Sequence, residues 1–413
     1  MASLDDAHAY IASTCFKTGP PRLVGVELEW LVHDADDDRL HVPAERLGAA
    51  LGPWSPRTLR RSQTPFAPRL LPRGGVVTVE PGGQVEISSP PARGLSECIA
   101  NSRTDLDNLR ALTAAAGLRL VGSGVDANRP PRRILTVARY AAMQAYFDRF
   151  GPHGHAMMCS TASVQVSVDA GTAEPGPRSL RHRWQLLHAL GPVMVAVFAN
   201  SPIHNGRTTG WKSSRQQVWL GIDPARTAPP TGDDPVTAYT AYALNAPLLC
   251  QRRSELAWEA PAGVSFADWL AGASEPPPTY GDLDYHLTTL FPPVRACGHL
   301  EVRYLDAQGG DDWVVPVAVL SALVDGPEEV ATEALEICSP VSGRWEQAAM
   351  HGLEDVEIHL AARECMALAR SALSTMDVSF ELTAYLDRFV KRHTDRGRSP
   401  ADDQLDRMTG RPT

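Results

Sequence analysis

Four segments of the chain alternate apolar and polar residues with the period of a β-strand. In LVGVELEWLV (23–32), Val24, Val26, Leu28 and Trp30 fall on one side, and Glu27 and Glu29 on the other. In PGGQVEISSP (81–90), Val85 and Ile87 oppose Gln84, Glu86 and Ser88. TASVQVSVD (161–169) sets Val164, Val166 and Val168 against Ser163, Gln165, Ser167 and Asp169, and HLEVRYLD (299–306) sets Leu300, Val302 and Tyr304 against His299, Glu301 and Arg303. VVTVE (76–80) reads as a further strand ending on Glu80. A helix is expected over 95–116, where Ile99, Leu106, Leu109 and Leu112 lie near one face. Others are expected over 135–150, ended by GPHG, and over about 179–199, with a mostly helical pattern from Val315 to about Met376. Loops rich in Pro, Arg or Asp cover 52–75, 223–236 and 276–278. Without an internal repeat or a sharp break in composition, residues 1–395 read as one domain. Residues 396–413, polar and rich in charge, Gly and Pro, read as a loose tail.

Composition narrows the partners. The 413 residues carry a net charge of −9, with 43% hydrophobic and 21% charged residues. That balance supports a sizeable core and speaks against a nucleic-acid binder, which normally shows a basic excess. The cysteines, at 15, 98, 159, 250, 297, 338 and 365, are odd in number and form no CxxC pair. This suits a reduced cytoplasmic protein better than a disulfide scaffold or zinc module. The start, MASLDDAHAY, has acidic residues where a signal peptide has basic ones. LGPVMVAVFA (190–199) is far shorter than the ~20 residues that span a bilayer, so no membrane association is expected. Lysine occurs only at 17, 212 and 391, and no GxxxxGK[ST] exists, which excludes a Walker-type nucleotide site.

Each alternating strand alone fits an antiparallel sheet with one wet face. As a set they are harder to explain that way. Neighbouring strands exposing Glu27, Glu29, Glu86 and Glu301 would crowd like charges, and none of the four strands contains a lysine to dilute them. Carboxylates gathered on one face are the hard oxygen ligands that magnesium prefers, and a phosphorylated nucleotide could complete such a site. Arg303, two residues beyond Glu301, would lie on the same face, where its planar fork suits phosphate or carboxylate. His153 and His155 fit loop or capping roles, Cys159 and Cys297 fit small buried residues, and Lys212 fits a solvated loop.

GVELEW (25–30), GGQVEISSP (82–90), RYAAMQAYFDRFGPHGHAMMCSTASVQVSVD (139–169), SSRQQVWLGIDPAR (213–226), HLTTLFPPVR (286–295) and HLEVRYLDA (299–307) stand in the order seen in plant-type glutamate–cysteine ligases. The resemblance covers roughly residues 20–330, and the compact form and the HAMMCSTASVQVSVD wording resemble the actinobacterial branch that serves ergothioneine biosynthesis. It implies a glutamine-synthetase-like α+β fold, in which a bent antiparallel sheet holds the reaction on its concave face and helices pack behind. The implied reaction joins the γ-carboxylate of L-glutamate to the amine of L-cysteine, with ATP as co-substrate and magnesium as cofactor, through a γ-glutamyl phosphate; another carboxylate–amine ligase of the same fold is the alternative. By the same resemblance Glu27, Glu29, Glu86 and Glu301 hold metal, with Glu80 and Gln165 as weaker candidates. Arg303 touches the transferring phosphate, Arg215 grips substrate glutamate, and Trp313, after the GGDD turn, either lines the substrate pocket or is a buried structural tryptophan.

Overall fold

The structure, a computed structural model, describes residues 1, 3–19, 23–59, 69–252 and 258–410. Part of the loop expected at 52–75, residues 60–68, therefore lies outside the described residues.

The alternating segments pair into one antiparallel sheet. In chain order its strands are β1 (Val24–Asp34), β2 (Val76–Val79), β3 (Val85–Ser88), β4 (Leu118–Val121) and β5 (Ser163–Val168). A small separate hairpin, β6 (Ile203–His204) with β7 (Arg207–Thr208), follows, and β8 (Val294–Ala296) and β9 (Leu300–Asp306) return to the main sheet. The spatial order is β2-β3-β1-β5-β9-β8, with β4 pairing the far end of β1. Val26, Leu28, Val85, Ile87, Val164, Val166 and Val302 are all buried, so the apolar side of each strand is the core side. Behind it stand the helices Leu180–Val197 and Val314–Asp325. Every residue of Val314–Asp325 is buried, which is why that segment shows no amphipathic stripe.

The opposite face carries the acids, and its register sets them in rows. Thr78, Glu86 and Glu29 lie side by side across β2, β3 and β1. Ser88, Glu27 and Gln165 lie across β3, β1 and β5, and Ser167, Glu301 and Arg295 across β5, β9 and β8. A bulge interrupts the last pairing: between Val164↔Leu305 and Val166↔Val302, Gln165 alone faces both Arg303 and Tyr304. The extra residue lets Arg303 stay on the acidic face while Tyr304 and Leu305 both enter the core.

Three expectations need correction. Residues 396–410 are not a loose tail, and residues 411–413 of the expected tail lie outside the described residues. Pro400–Thr409 is a helix opened by a Ser399/Asp402 capping box, with Ala401 and Asp403 buried. Its docking surface is polar, Asp403 meeting His393 at 3.0 Å and Arg392 at 2.6 Å, so no apolar stripe announces it. GPHG does not open a loop, because a new helix, His153–Ser160, begins at once and runs into β5. Buried on nearly all sides, this helix shows no period either. The helix expected over 135–150 is Ala138–Phe147 followed by a short 3₁₀ turn. Among the described residues no helix is long and apolar enough to cross a membrane.

Candidate active site

The β2–β3 hairpin turns through Pro81-Gly82-Gly83, closed by bonds from Gly83 N to the Glu80 carbonyl and from Glu80 N to the Gln84 carbonyl, each 2.8 Å. Gly83 has a φ of +95°, and a Cβ on Gly82 would sit 2.2 Å from the Cys159 carbonyl oxygen. Both glycines are required, one by conformation and one by contact. Gln84, on the acidic side of β3 as its alternation predicts, is a strut: its Nε2 donates to the Thr161 carbonyl at 2.9 Å and its Oε1 accepts from Gly82 N at 3.1 Å. Glu80 is thus held at the hairpin tip and Glu86 on the returning strand.

A cavity of about 550 Å³ opens on this face, lined by Glu27, Glu29, Glu80, Glu86, Gln165, Arg215, Arg295 and Arg303. Its apolar wall is formed by Tyr140, Met143, Met157, Met158, Trp219 and Phe291. The carboxylates repel one another. Burial, then Glu80 and Glu29, push the Glu86 carboxyl up to about 8. Burial, then Glu29, raise Glu80 to about 7. Glu27 is raised well above the usual carboxylate range by burial and then by Glu86 and Glu301. Thr78 Oγ1 donates to Glu86 Oε1 at 2.6 Å, and Ser88 Oγ to the same oxygen at 3.2 Å.

Glu301 differs. Only 2% exposed, it lies beneath the cavity floor and is held by two arginines. Arg295 Nη2 donates to it at 2.9 Å, and Arg303 Nη1 contacts its other oxygen. Burial alone would raise its carboxyl, but the two guanidiniums hold it down at about 2. Gln165 links the two halves of the site, its Nε2 donating to Glu29 Oε1 at 2.9 Å and its Oε1 accepting from Arg303 Nη1 at 2.5 Å.

Arg215 enters from the helix Ser214–Leu220, capped by Ser213. The bulge on β9 anchors this helix: the Arg303 carbonyl accepts from Arg215 Nη2 and the Tyr304 carbonyl from Gln216 Nε2, both at 2.7 Å. Asp306 completes the clamp, accepting from Ser213 Oγ at 2.9 Å, Ser201 Oγ at 2.7 Å and Asn200 N at 2.8 Å. The Arg215 guanidinium stacks on Trp219 at 4.5 Å and is 1% exposed, yet its Nε and Nη1 have no partner. A buried guanidinium with free donors at a cavity wall is built to receive an anion.

The structure therefore brings Glu27, Glu29, Glu80, Glu86, Gln165, Arg215 and Arg303 to one cavity, with Glu301 directly under it. It does not bring Trp313 there. That indole is fully buried in the core at the head of Val314–Asp325, because the turn before it leads straight into the most buried helix of the fold. Lys212 is not a solvated loop lysine, since it pairs with Glu354 at 2.7 Å and Asp402 at 2.5 Å. Cys159 is buried as expected, whereas Cys297 is exposed. The sequence reading missed Arg295, which lies on a three-residue edge strand; its signal was the position opposite Glu301 once β8 and β9 form a hairpin. It also missed Asp306, the acid that positions the Arg215 helix.

A model of the family described as glutamate–cysteine ligase family 2 matches residues 23–412. The chain is similar to the glutamate–cysteine ligase EgtA of Mycobacterium tuberculosis, at 40% identity over 97% of this chain and 90% of the relative. Its likeness to EgtA of Mycolicibacterium smegmatis is 39% over 100% and 93%. A chloroplastic glutamate–cysteine ligase A of Oryza sativa is 31% identical over 65% of this chain and 55% of its own length. Among solved structures, the glutamate–cysteine ligase of Francisella tularensis in complex with AMP superposes with a TM-score of 0.55 over 95% of this chain and 85% of that one, at 12% identity, a likeness of fold. The architecture is the α+β, glutamine-synthetase-like one that the motifs imply. With the family model spanning nearly all of it and a relative at 40% identity covering its length, the chain belongs to glutamate–cysteine ligase family 2.

Proposed function

We propose that the protein uses ATP to join the γ-carboxylate of L-glutamate to the amine of L-cysteine, and that the γ-glutamylcysteine formed serves ergothioneine biosynthesis. The observation that carries this reading is the buried Arg215 with free donors facing a cavity of carboxylates. A carboxylate cannot be displaced directly by an amine, because oxide would have to leave. Transfer of the ATP γ-phosphoryl to the γ-carboxylate oxygen gives an acyl phosphate, and attack by the amine then expels phosphate.

In this scheme Arg215 binds a carboxylate of the substrate glutamate and orients it. Arg303, with an unpartnered Nε, meets the charge of the transferring phosphoryl group, and Arg295 holds the floor beside it. The side chains fit magnesium: Glu27, Glu29, Glu80 and Glu86 supply a crowded set of oxygens, and these would hold it; burial and mutual repulsion raise the carboxyls of Glu27, Glu80 and Glu86. Magnesium, when bound, neutralises triphosphate charge. A second cavity of about 390 Å³ shares Glu27 with the first and is lined by Lys17, Val24, Ser89, Ser167 and His299. We assign the nucleoside of ATP to it, with the phosphates running past Glu27. The apolar wall of Met143, Met157, Met158 and Phe291 suits the cysteine side chain.

The direct test is mass spectrometry of products from ATP, magnesium, glutamate and cysteine. γ-Glutamylcysteine with equimolar ADP is expected, and ADP release without a new amide would defeat the reading. Cysteine should exceed alanine in kcat/KM by roughly 10–200-fold, the range one small apolar group commands in a pocket. Equal turnover of the two amines in a coupled ADP assay would remove the methionine wall from acceptor selection.

The raised carboxylates also predict how stability depends on pH. A folded state that holds protons more tightly than the unfolded chain loses stability as pH rises. Above the ordinary carboxylate range and up to about 8, Glu27, Glu80 and Glu86 act in that direction, while Glu301, held down at about 2, is already ionised. The metal-free protein should therefore melt at lower temperature near about pH 8.5 than near about pH 6. Magnesium should raise the midpoint more at the higher pH, because binding no longer has to displace protons. A magnesium-induced shift of the same size at both values in scanning calorimetry would place the metal elsewhere.

A further inference from the structure

The β8–β9 turn, Cys297-Gly298-His299, borders the cavity assigned to the nucleoside through Gly298 and His299, while the scheme above gives Cys297 no role. Cys297 N donates to the His299 carbonyl at 3.0 Å, and Gly298 takes a φ of +87°. This tight turn, with strand alternation continuing into β9, puts Cys297, His299 and Glu301 on one side. The Cys297 Sγ lies 3.4 Å from His299 Nε2 and 3.7 Å from a Glu301 oxygen. One donor atom from each of the three residues falls within 4.8 Å of the others. Around a tetrahedral zinc ion, with bonds of about 2.3 Å to sulfur and about 2.0–2.2 Å to nitrogen or oxygen, neighbouring donors sit roughly 3.5 Å apart. The two separations from sulfur match those edges, and the His299 and Glu301 donors lie within 4.8 Å of each other. Cys297 is exposed and His299 partly so, so an ion can reach the site from solvent and water can take the fourth position.

We propose that Cys297, His299 and Glu301 form a binding site for a borderline-soft divalent cation of the zinc class, sharing Glu301 with the acids that the family resemblance gives to magnesium. Thiol and imidazole donors select such ions over magnesium or calcium. On binding, the Cys297 thiol gives its proton to solvent and sulfur, nitrogen and carboxylate oxygen each donate a pair to the ion. The cost falls on Arg295 and Arg303, which share Glu301 with it. Drawing that carboxylate toward the turn withdraws the counter-ion that aims both guanidiniums. The site is therefore inhibitory, a consequence that rests on the ligase reading.

The full-length protein is titrated with Co²⁺ alone, without substrates, and followed by absorption spectroscopy. Thiolate-to-cobalt charge transfer in the near ultraviolet is expected, and Zn²⁺ should abolish it. Cobalt held only by the glutamates gives no such band. Cys297→Ser should lose the band, and His299→Gln should weaken binding by roughly tenfold or more. No band in the wild type, or an undiminished band in Cys297→Ser, overturns the site. At equal buffered Zn²⁺ and excess Mg²⁺, wild-type turnover should fall while Cys297→Ser continues, and equal inhibition of both overturns the inhibitory role. Because the cobalt titration needs no turnover, it stands apart from the product analysis that tests the ligase reading.

Discussion

Arg303→Lys should lower kcat by about 10²–10³-fold, the loss typical when one preorganised charge-stabilising donor is removed. The guanidinium does several things at once: it contacts Glu301, donates to Gln165 Oε1, and keeps Nε free above the cavity floor. An ammonium retains the charge but cannot span those partners from one planar group. Melting should change little, because the side chain lies at the cavity and the β9 bulge that carries it is built from backbone and core residues. The discriminating measurement is single-turnover ADP formation with glutamate and ATP saturating. Wild-type rates in the lysine variant would mean that charge alone is needed at this position.

Arg215→Ala should raise the glutamate KM far more than those of ATP or cysteine. Removing one member of a buried, hydrogen-bonded charge pair costs about 2–5 kcal/mol, so kcat/KM for glutamate should fall by roughly 30- to 4,000-fold. The truncation leaves Trp219 without its stacking partner, so Arg215→Lys serves as the control that preserves most of the volume. Both should lose glutamate affinity, because neither restores the paired donors at Nε and Nη1. An unchanged glutamate KM in steady-state kinetics would transfer the substrate-gripping role to Arg295 or Arg139, which line the cavity together with Arg303.

Much of this site was legible because strand alternation is a strict period. Once Val26 and Leu28 belong to the core, Glu27 and Glu29 have only one place to go, and the same holds for Glu86 and Gln165. What escaped was set by features without a period. The bulge that keeps Arg303 at the cavity and offers the 303 and 304 carbonyls to the Arg215 helix arises from pairing between distant strands. Arg295 sits on a strand of three residues, too short to alternate visibly. Of the two readings of Trp313, the structural one holds, because the Gly-rich turn before it feeds a wholly buried helix and does not form a loop beside the site. The Ser399-Pro400 start with Asp402 three residues after the serine was a readable capping box, outweighed by the polar composition around it.

That last helix bears on how the protein can be trimmed. Gln404 Nε2 donates to Asn200 Oδ1 at 2.7 Å, Ala401 N to the Ala199 carbonyl at 2.9 Å, and Asp402 pairs with Lys212. Residues 199–200 and 212 directly flank Ser201 and Ser213, the two serines that Asp306 uses to seat the helix carrying Arg215. A shortened version cut at the apparent edge of the recognisable motifs would keep every glutamate and arginine of the cavity and still leave the Arg215 segment without its outer brace, so a minimal working enzyme has to extend through Thr409.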